Sequence, residues 1–417
     1  MKAVAFDGIT RDLGTVSTRR GIFRLVGGAA AVGSGLALLI GEDADAKGKG
    51  NGRARNHAQV DAQKKKKGKG KGKGKGNGNK GNGNNGGNTT RPSSGRHFSV
   101  GGRSILDASG NPVLLRGVNK MSVFDDADPT GTVSFPEIRK TGANTVRIVW
   151  AITKDLAKNG PATDAATLDA LIANARANGL VPMVELHDAT GNWGRLGDLV
   201  AYWTQPAIVA IIAKHQEYLL VNIGNEVGDA TVSNAQFIAG YTSAVQQMRT
   251  AGIHTPLVID APDWGKDLEA LTATAASLLG ADPEQNLIFS VHLYWSKAFG
   301  ADATFIRTAL QTAVAANYPL IVGEFSKTGG IDPNNNFNSS CQAAGDIHYE
   351  VIIEECQKLG IGWYAWEWGP GNIYGGANCD VMDMTTDSRF ATLKPGWAIE
   401  VATTSPFSIK NTSRSIL

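Results

Sequence analysis

The sequence predicts one α/β domain, an eight-stranded parallel barrel wrapped in helices, behind a charged leader that does not join it. Three observations predict it. From His97 onward, short apolar runs recur eight times, most of them separated by helix-period segments. None of the early runs is followed by the glycine fingerprint of an open dinucleotide-binding sheet. Residues 47–91 hold almost nothing that a core could bury.

The leader divides in two. Within residues 1–46, the stretch "STRRGIFRLVGGAAAVGSGLALLIGEDADA" carries twin arginines, Arg19 and Arg20. An apolar run from Leu25 to Ile40 and a small-x-small site at Ala44–Ala46 follow them. This is the pattern of a twin-arginine-type export signal, so the folded part is expected to be secreted or to work outside the cytoplasm. The apolar run is short and rich in Gly and Ala for a membrane span.

Residues 47–95 are expected to be a disordered basic Gly/Lys/Asn linker, because too few apolar side chains are present to offset the entropy of ordering the backbone. Fourteen Lys and Arg against one Asp give residues 47–91 a net +13. The whole chain is at +3 and residues 1–46 are balanced, so residues 92–417 carry −10. An acidic domain, and a basic stretch without interleaved aromatics to stack on bases, argue against a nucleic-acid partner. An anionic cell-wall polymer is the partner such a linker could hold.

The barrel is expected to occupy residues 96–400, with 401–417 as a C-terminal tail. Its strands are "PVLLRGVN" (112–119), "NTVRIVW" (144–150), "VPMVELHD" (181–188), "LLVNIGNE" (219–226), "TPLVIDA" (255–261), "LIFSVHLYW" (287–295), "PLIVGEF" (319–325) and "GWYAWEW" (362–368). "DAATLDALIANARANG" and "NAQFIAGYTSAVQQMRTAG" between them have helical spacing.

In such a barrel the active site forms at the carboxyl ends of the strands. Here those ends carry Asn119, Arg147, His187 with Asp188, Asn225 with Glu226, Asp260, His292 with Tyr294, Glu324, and Trp366 with Glu367. A polar residue at every strand end is hard to explain as packing. Glu226 and Glu324 close otherwise apolar runs, and buried carboxylates are costly without a use or a partner. Facing each other from strands four and seven at about 5 Å, they would suit glycoside hydrolysis with retention of configuration. Six of the nine tryptophans, Trp150, Trp193, Trp264, Trp295, Trp366 and Trp368, fall at or just beyond strand ends and are expected to form sugar platforms. Trp203, Trp363 and Trp397 are expected in the core, and Asp188 and Asp260 are expected to be structural.

Three cysteines are present. Cys341 and Cys379 sit in Gly/Asn-rich loops and form the candidate disulfide of an exported protein, whereas Cys356 lies in a helical segment and reads as a buried thiol. Their spacing matches no zinc motif. His187, Asp188 and His292 could suggest a metal hydrolase, but "LLRGVN" lacks the histidine pair that class needs on its first strand, so no metal and no cofactor are expected.

As an ordered set, "TVRIV", "ELHDATG", "VNIGNE", "SVHLY", "LIVGEF" and "GWYAWEW" resemble glycoside hydrolase family 5, a family of retaining TIM-barrel enzymes, over roughly residues 98–370. "KTGANTVRIVW", "HDATG", "VIDAPDWG" and "IGWYAWEW" look most like its bacterial endo-β-1,4-mannanases. The resemblance implies Glu226 as acid/base and Glu324 as nucleophile. It implies that Arg147 and Tyr294 hold Glu324, that Asn225 binds the 2-hydroxyl, that His187 and His292 position the sugar and orient Glu226, and that Trp366 supports the ring. The substrate implied is a β-1,4-linked polysaccharide, mannan or glucomannan; separately, the protein is expected to be a monomer. "GNEVG" and "GEFSKTGG" depart from the family pattern, which keeps β-1,4-glucan as the alternative substrate. A non-catalytic carbohydrate-binding barrel is the alternative class, and it would have no reason to keep both glutamates.

Overall fold

A computed structural model of the chain describes residues 97–153, 163–329, 346–371, 373–374, 377–378 and 380–417. The expected signal, the linker and the Cys341–Cys379 pair lie outside the described residues.

Three short strands come first: β1 (Ser99–Gly101), β2 (Ser104–Leu106) and β3 (Pro112–Val113) form an antiparallel sheet. The run read as one first strand therefore divides. Pro112 and Val113 pair backward with β2, and the barrel begins only at β4 (Arg116–Lys120). The other seven barrel strands are β5 (Thr145–Trp150), β6 (Val181–Leu186), β7 (Leu220–Asn222), β8 (Leu257–Asp260), β9 (Leu287–His292), β10 (Leu320–Glu324) and β11 (Gly362–Ala365). They close in chain order, with β11 parallel to both β4 and β10. Strands four and seven, β7 and β10, are not diametrically opposed: two strands separate them one way round and four the other.

Every residue of these eight strands is buried, as expected when helices cover one face and the barrel interior fills the other. The period-two pleat sorts the interior into levels. Val181, Met183, Leu220, Val258, Ile288, Ile321 and Tyr364 form the lower apolar filling, together with Phe98 just before β1, Ile105 of β2 and Leu115 just before β4. One pleat repeat higher, the same inward rows turn polar: Met183 gives way to Glu185, Leu220 to Asn222, Val258 to Asp260 and Ile288 to Ser290. Outward residues such as Ile148, Val184 and Val221 pack with the helix layer.

The helices form where the sequence supplies apolar stripes and caps. Ala165–Ala177 buries Leu168, Leu171, Ile172 and Ala175 and starts on the Asp164 side chain. Asn234–Thr250 opens with a full capping box of Ser233 and Gln236, while Asp267 and Asp302 cap two later helices. Each such cap is worth about 1 kcal/mol.

Residues 401–417 are not a separate tail. Val401, Ala402 and Ile409 are fully buried in the main core, Thr412 accepts from Arg116 Nε at 3.1 Å, and the Arg414 carbonyl accepts from Asn144 at 2.9 Å. The segment lacks a strong period, yet it helps satisfy a buried arginine of β4. Cys356 is a buried free thiol, as its helix implied.

Candidate active site

Arg147 organises the upper end of the barrel. Its place on β5 points it inward, and it is fully buried, so each of its donors needs an acceptor. Nη1 donates to Glu324 Oε1 at 2.6 Å and to Asn119 at 3.0 Å. Nη2 donates to Asn225 at 2.7 Å, to Asn222 at 2.9 Å and to Asp260 at 3.3 Å, while Nε reaches Asn222 at 3.2 Å. Glu185, Glu324 and Asp260 raise the Arg147 pKa despite the opposing effect of burial. The guanidinium is a fixed cation.

Glu324 ends β10 beside it. Its second oxygen accepts from the Tyr294 hydroxyl at 2.8 Å. Burial raises the Glu324 pKa above the ordinary carboxylate value; His292 and Arg147 pull it down, and neighbouring Glu226 adds to the rise. Tyr294 itself is pushed well up by burial and by the two glutamates, so it stays a neutral donor.

Glu226 lies beyond β7 in a turn, with φ of 48°. That left-handed conformation is unusual for a residue with a Cβ. The turn is held at two points: the Glu226 N–H donates to Asp260 at 3.1 Å, and its carbonyl accepts from the Gly191 N–H at 2.8 Å. Its carboxylate meets His292 Nδ1 at 2.7 Å. His292 is fixed in turn by its backbone N–H, which donates to the Gly265 carbonyl at 2.7 Å. A Cβ on Gly265, at φ of 73°, would stand 2.7 Å from the His292 ring, so only glycine fits there. Burial disfavours the imidazolium, but Glu324, Asp260 and Glu226 outweigh it and bring the His292 pKa up to about 10.

One carboxylate oxygen from each glutamate and a His292 nitrogen lie within 4.8 Å of one another. Such a trio has the donor types of a metal site. A cation held there would have to displace the Arg147 guanidinium from Glu324, so the set fits two carboxylates serving one reaction better.

The chain matches a known family. Residues 106–372 fit the model of the cellulase family, glycosyl hydrolase family 5. A mannan endo-1,4-β-mannosidase of Salipaludibacillus agaradhaerens is 30% identical over 70% of this chain and 86% of that protein. One from Streptomyces lividans is 31% identical over 72% and 71%. The crystal structure of a β-mannanase from Streptomyces thermolilacinus with mannohexaose superposes with a TM-score of 0.64, at 30% identity, over 76% of this chain and 97% of that one.

The chain belongs to glycoside hydrolase family 5.

Within this family-5 site, Arg147, Asn225, Glu226, His292, Tyr294 and Glu324 come together as the sequence implied. His187 stands at the rim, 3.0 Å from Glu185 and stacked on Trp366 with ring centroids 6.1 Å apart. Burial works against its charged form, but Glu185 and Glu324 raise its pKa overall. Trp366 also packs with Met121, Val149 and Tyr294 at the mouth. Asn225 is less open than expected, because its amide nitrogen already donates to Thr190 at 3.0 Å.

The expected row of platforms is corrected. Trp150 is fully buried and its indole N–H donates to the Tyr202 hydroxyl at 2.8 Å; Trp368 is fully buried and donates to the Ser388 carbonyl at 2.9 Å. Trp150 sits three places from inward Arg147, an odd number, so the pleat turns it toward the helices. Trp264 is nearly covered, its indole lying where a Cβ on Gly191 would be, with Lys266 over its ring at 5.4 Å. Trp193 packs on Phe237 and Tyr241, and Trp295 on Phe305; both keep partial exposure. Trp203, Trp363 and Trp397 are buried, as expected.

Sequence reading missed three groups around Arg147. Glu185 and Asn222 were passed over as strand interior, although both lie on inward rows. Asp260 was taken as structural, yet it touches Arg147, His292 and the Glu226 backbone. Asp188 is structural, accepting from the Ile152 N–H at 2.8 Å.

Proposed function

We propose that this enzyme is an endo-acting β-1,4-mannanase that cleaves mannan or glucomannan by double displacement. The observation that carries the mechanism is the closeness of Glu226 and Glu324, which bring one carboxylate oxygen each to within 4.8 Å of the other. Retaining glycosidases place their carboxyl groups about 5–5.5 Å apart, whereas a water needs roughly 6.5–9.5 Å. The names of the family relatives support the choice of mannan.

In the first step Glu324 attacks the anomeric carbon while Glu226 gives its proton to the departing glycosidic oxygen, so one C–O bond forms as another breaks. In the second, Glu226 takes a proton from water, the water oxygen bonds to the anomeric carbon, and the ester to Glu324 is released. Arg147 and Tyr294 fix the two oxygens of Glu324 for in-line attack. His292 orients Glu226. Asn225, held by Arg147 and Thr190, meets the 2-hydroxyl. Trp366 and His187, stacked at the rim, support the ring being cleaved.

The leader pattern supports export, so that the enzyme meets its polymer outside the cytoplasm, and the basic stretch supports an electrostatic tether to an anionic wall polymer. Binding of the full chain to such polymers should then fall as salt rises. Substrate choice is tested by kcat/KM on mannan, glucomannan and a soluble cellulose derivative, since that ratio reports transition-state binding. Mannan or glucomannan is expected to lead; a lead for the cellulose derivative would make the chain a glucanase.

A further inference from the structure

Asp260 closes β8 and is fully buried in the barrel mouth. One oxygen, Oδ2, serves three groups at once. It accepts from the Glu226 backbone N–H at 3.1 Å and from Arg147 Nη2 at 3.3 Å, and it lies 3.4 Å from His292 Nε2 in a charge contact without hydrogen-bond geometry. The other oxygen accepts from Asn222 at 3.3 Å. It thus contacts both members of the Glu226–His292 pair.

The consequences of losing it are unequal. Arg147 keeps Glu324, Asn119, Asn222 and Asn225 as close partners without Asp260. His292 does not: its Nδ1 side meets Glu226 at 2.7 Å and Glu324 at 3.6 Å, and on its Nε2 side Asp260 is the facing carboxylate. The Glu226 turn is equally dependent, because the left-handed residue has its N–H anchored on Asp260. Removing that anchor frees a strained conformation to relax.

We propose that Asp260 is a positioning residue for proton transfer, holding the Glu226 backbone and the His292 ring together so that the acid/base carboxyl stays aimed at the glycosidic oxygen. The nucleophile keeps its own direct partners, Arg147 and Tyr294, without Asp260. This rests on Glu226 being the acid/base, and the two ideas separate experimentally. Asp260 is burdened by burial, yet His292, Arg147 and the Glu226 N–H outweigh it and hold its pKa down at about 2, so the anchor stays ionised across the working range.

The test compares two leaving groups in Asp260→Asn and Asp260→Ala. Asn keeps an oxygen for the Glu226 N–H and loses the charge facing His292; Ala loses both. A mannooligosaccharide needs its leaving oxygen protonated, whereas a dinitrophenyl β-mannobioside does not. In both variants kcat/KM on the oligosaccharide is expected to fall by about 10²-fold or more, with Ala lower than Asn, while the aryl substrate loses less than about fivefold. Covalent labelling by a 2-deoxy-2-fluoro-β-mannobioside with the same leaving group is expected to proceed in both, which shows that the folded nucleophile half survives. Equal losses on both substrates, or no loss on either, would overturn the proposal. Glu226→Ala run alongside tests the reading beneath it: equal losses in that variant would remove Glu226 from the acid/base role whatever Asp260 does.

Discussion

Two buried arginine clusters sit at opposite ends of this barrel and differ in what their acceptors can still do. Below the strands, Arg249 donates bidentately to Asp282 at 3.0 and 3.0 Å, and to the carbonyls of Ile253, Thr255 and Asn286. Five donors meet five bonds, and the Asp282 carboxylate has no exposure at all. Above, Arg147 is just as fully bonded, but its partner Glu324 keeps 4% of its side chain open and neighbouring Glu226 keeps 12%. A buried ion pair alone therefore says nothing about catalysis. The lower cluster also has a second carboxylate, Glu284, 4.0 Å from Arg249 and 19% open; what marks the upper cluster is its place at the carboxyl ends of the strands, where Glu226 and Glu324 bring one oxygen each within 4.8 Å.

That contrast can be broken by substitution. The largest effect is expected from Glu324→Ala, which should lower kcat/KM on every substrate by roughly 10⁵-fold, as removal of a nucleophile does. Surviving turnover of an activated aryl glycoside by this variant would move the nucleophile elsewhere. Glu226→Ala comes next, with a loss on mannan of about 10²–10⁴-fold that shrinks sharply when the leaving group needs no proton.

The lower cluster should respond in stability and leave the chemistry alone. Asp282→Asn removes the bidentate counter-charge of a buried guanidinium and leaves only the more distant Glu284 at 4.0 Å, at a cost of about 3–5 kcal/mol. For a domain of this size that lowers Tm by roughly 5–8 °C, read by calorimetry, with kcat at 25 °C within about twofold of the parent. A large fall in kcat with unchanged Tm would erase the distinction between the two ends.

Acid sharpens the same comparison by a smaller amount. Burial would raise the Asp282 pKa, but Arg249 and backbone N–H groups of Asn286 and Glu284 hold it below the ordinary value of 3.8. The unfolded chain therefore binds the proton more readily, so this contribution is complete above that value and is lost as pH falls through the lower folded one. Wild-type Tm should drop more steeply below about pH 4 than that of Asp282→Asn. Parallel curves for the two proteins would show that Asp282 carries no such linkage.

Much of the barrel was legible because its strands are apolar runs broken by capped helices, as at Asp164 and Ser233. The entry sheet was not, since "PVLLRGVN" is a continuous run whose division into β3 and β4 depends on pairing with β2, a long-range fact. The two glutamates and Arg147 were legible as charges placed where a strand must be buried. The tryptophans misled because position at a strand end does not give side-chain direction; for Trp150, counting the pleat from Arg147 would have done so. Asp260 was hidden for another reason. A lone aspartate ending a strand is usually a turn or a cap, and only the convergence of β5, β8 and β9 shows what it touches.

The most direct measurement is to trap the covalent intermediate on the wild-type enzyme with a 2-deoxy-2-fluoro-β-mannobioside bearing a dinitrophenolate, digest the protein, and locate the label by mass spectrometry. A single labelled peptide carrying the sugar on Glu324 is the expected result. A label on Glu226, or inactivation-free turnover with no covalent adduct, would contradict the assignment of the Arg147-bound carboxylate as the nucleophile.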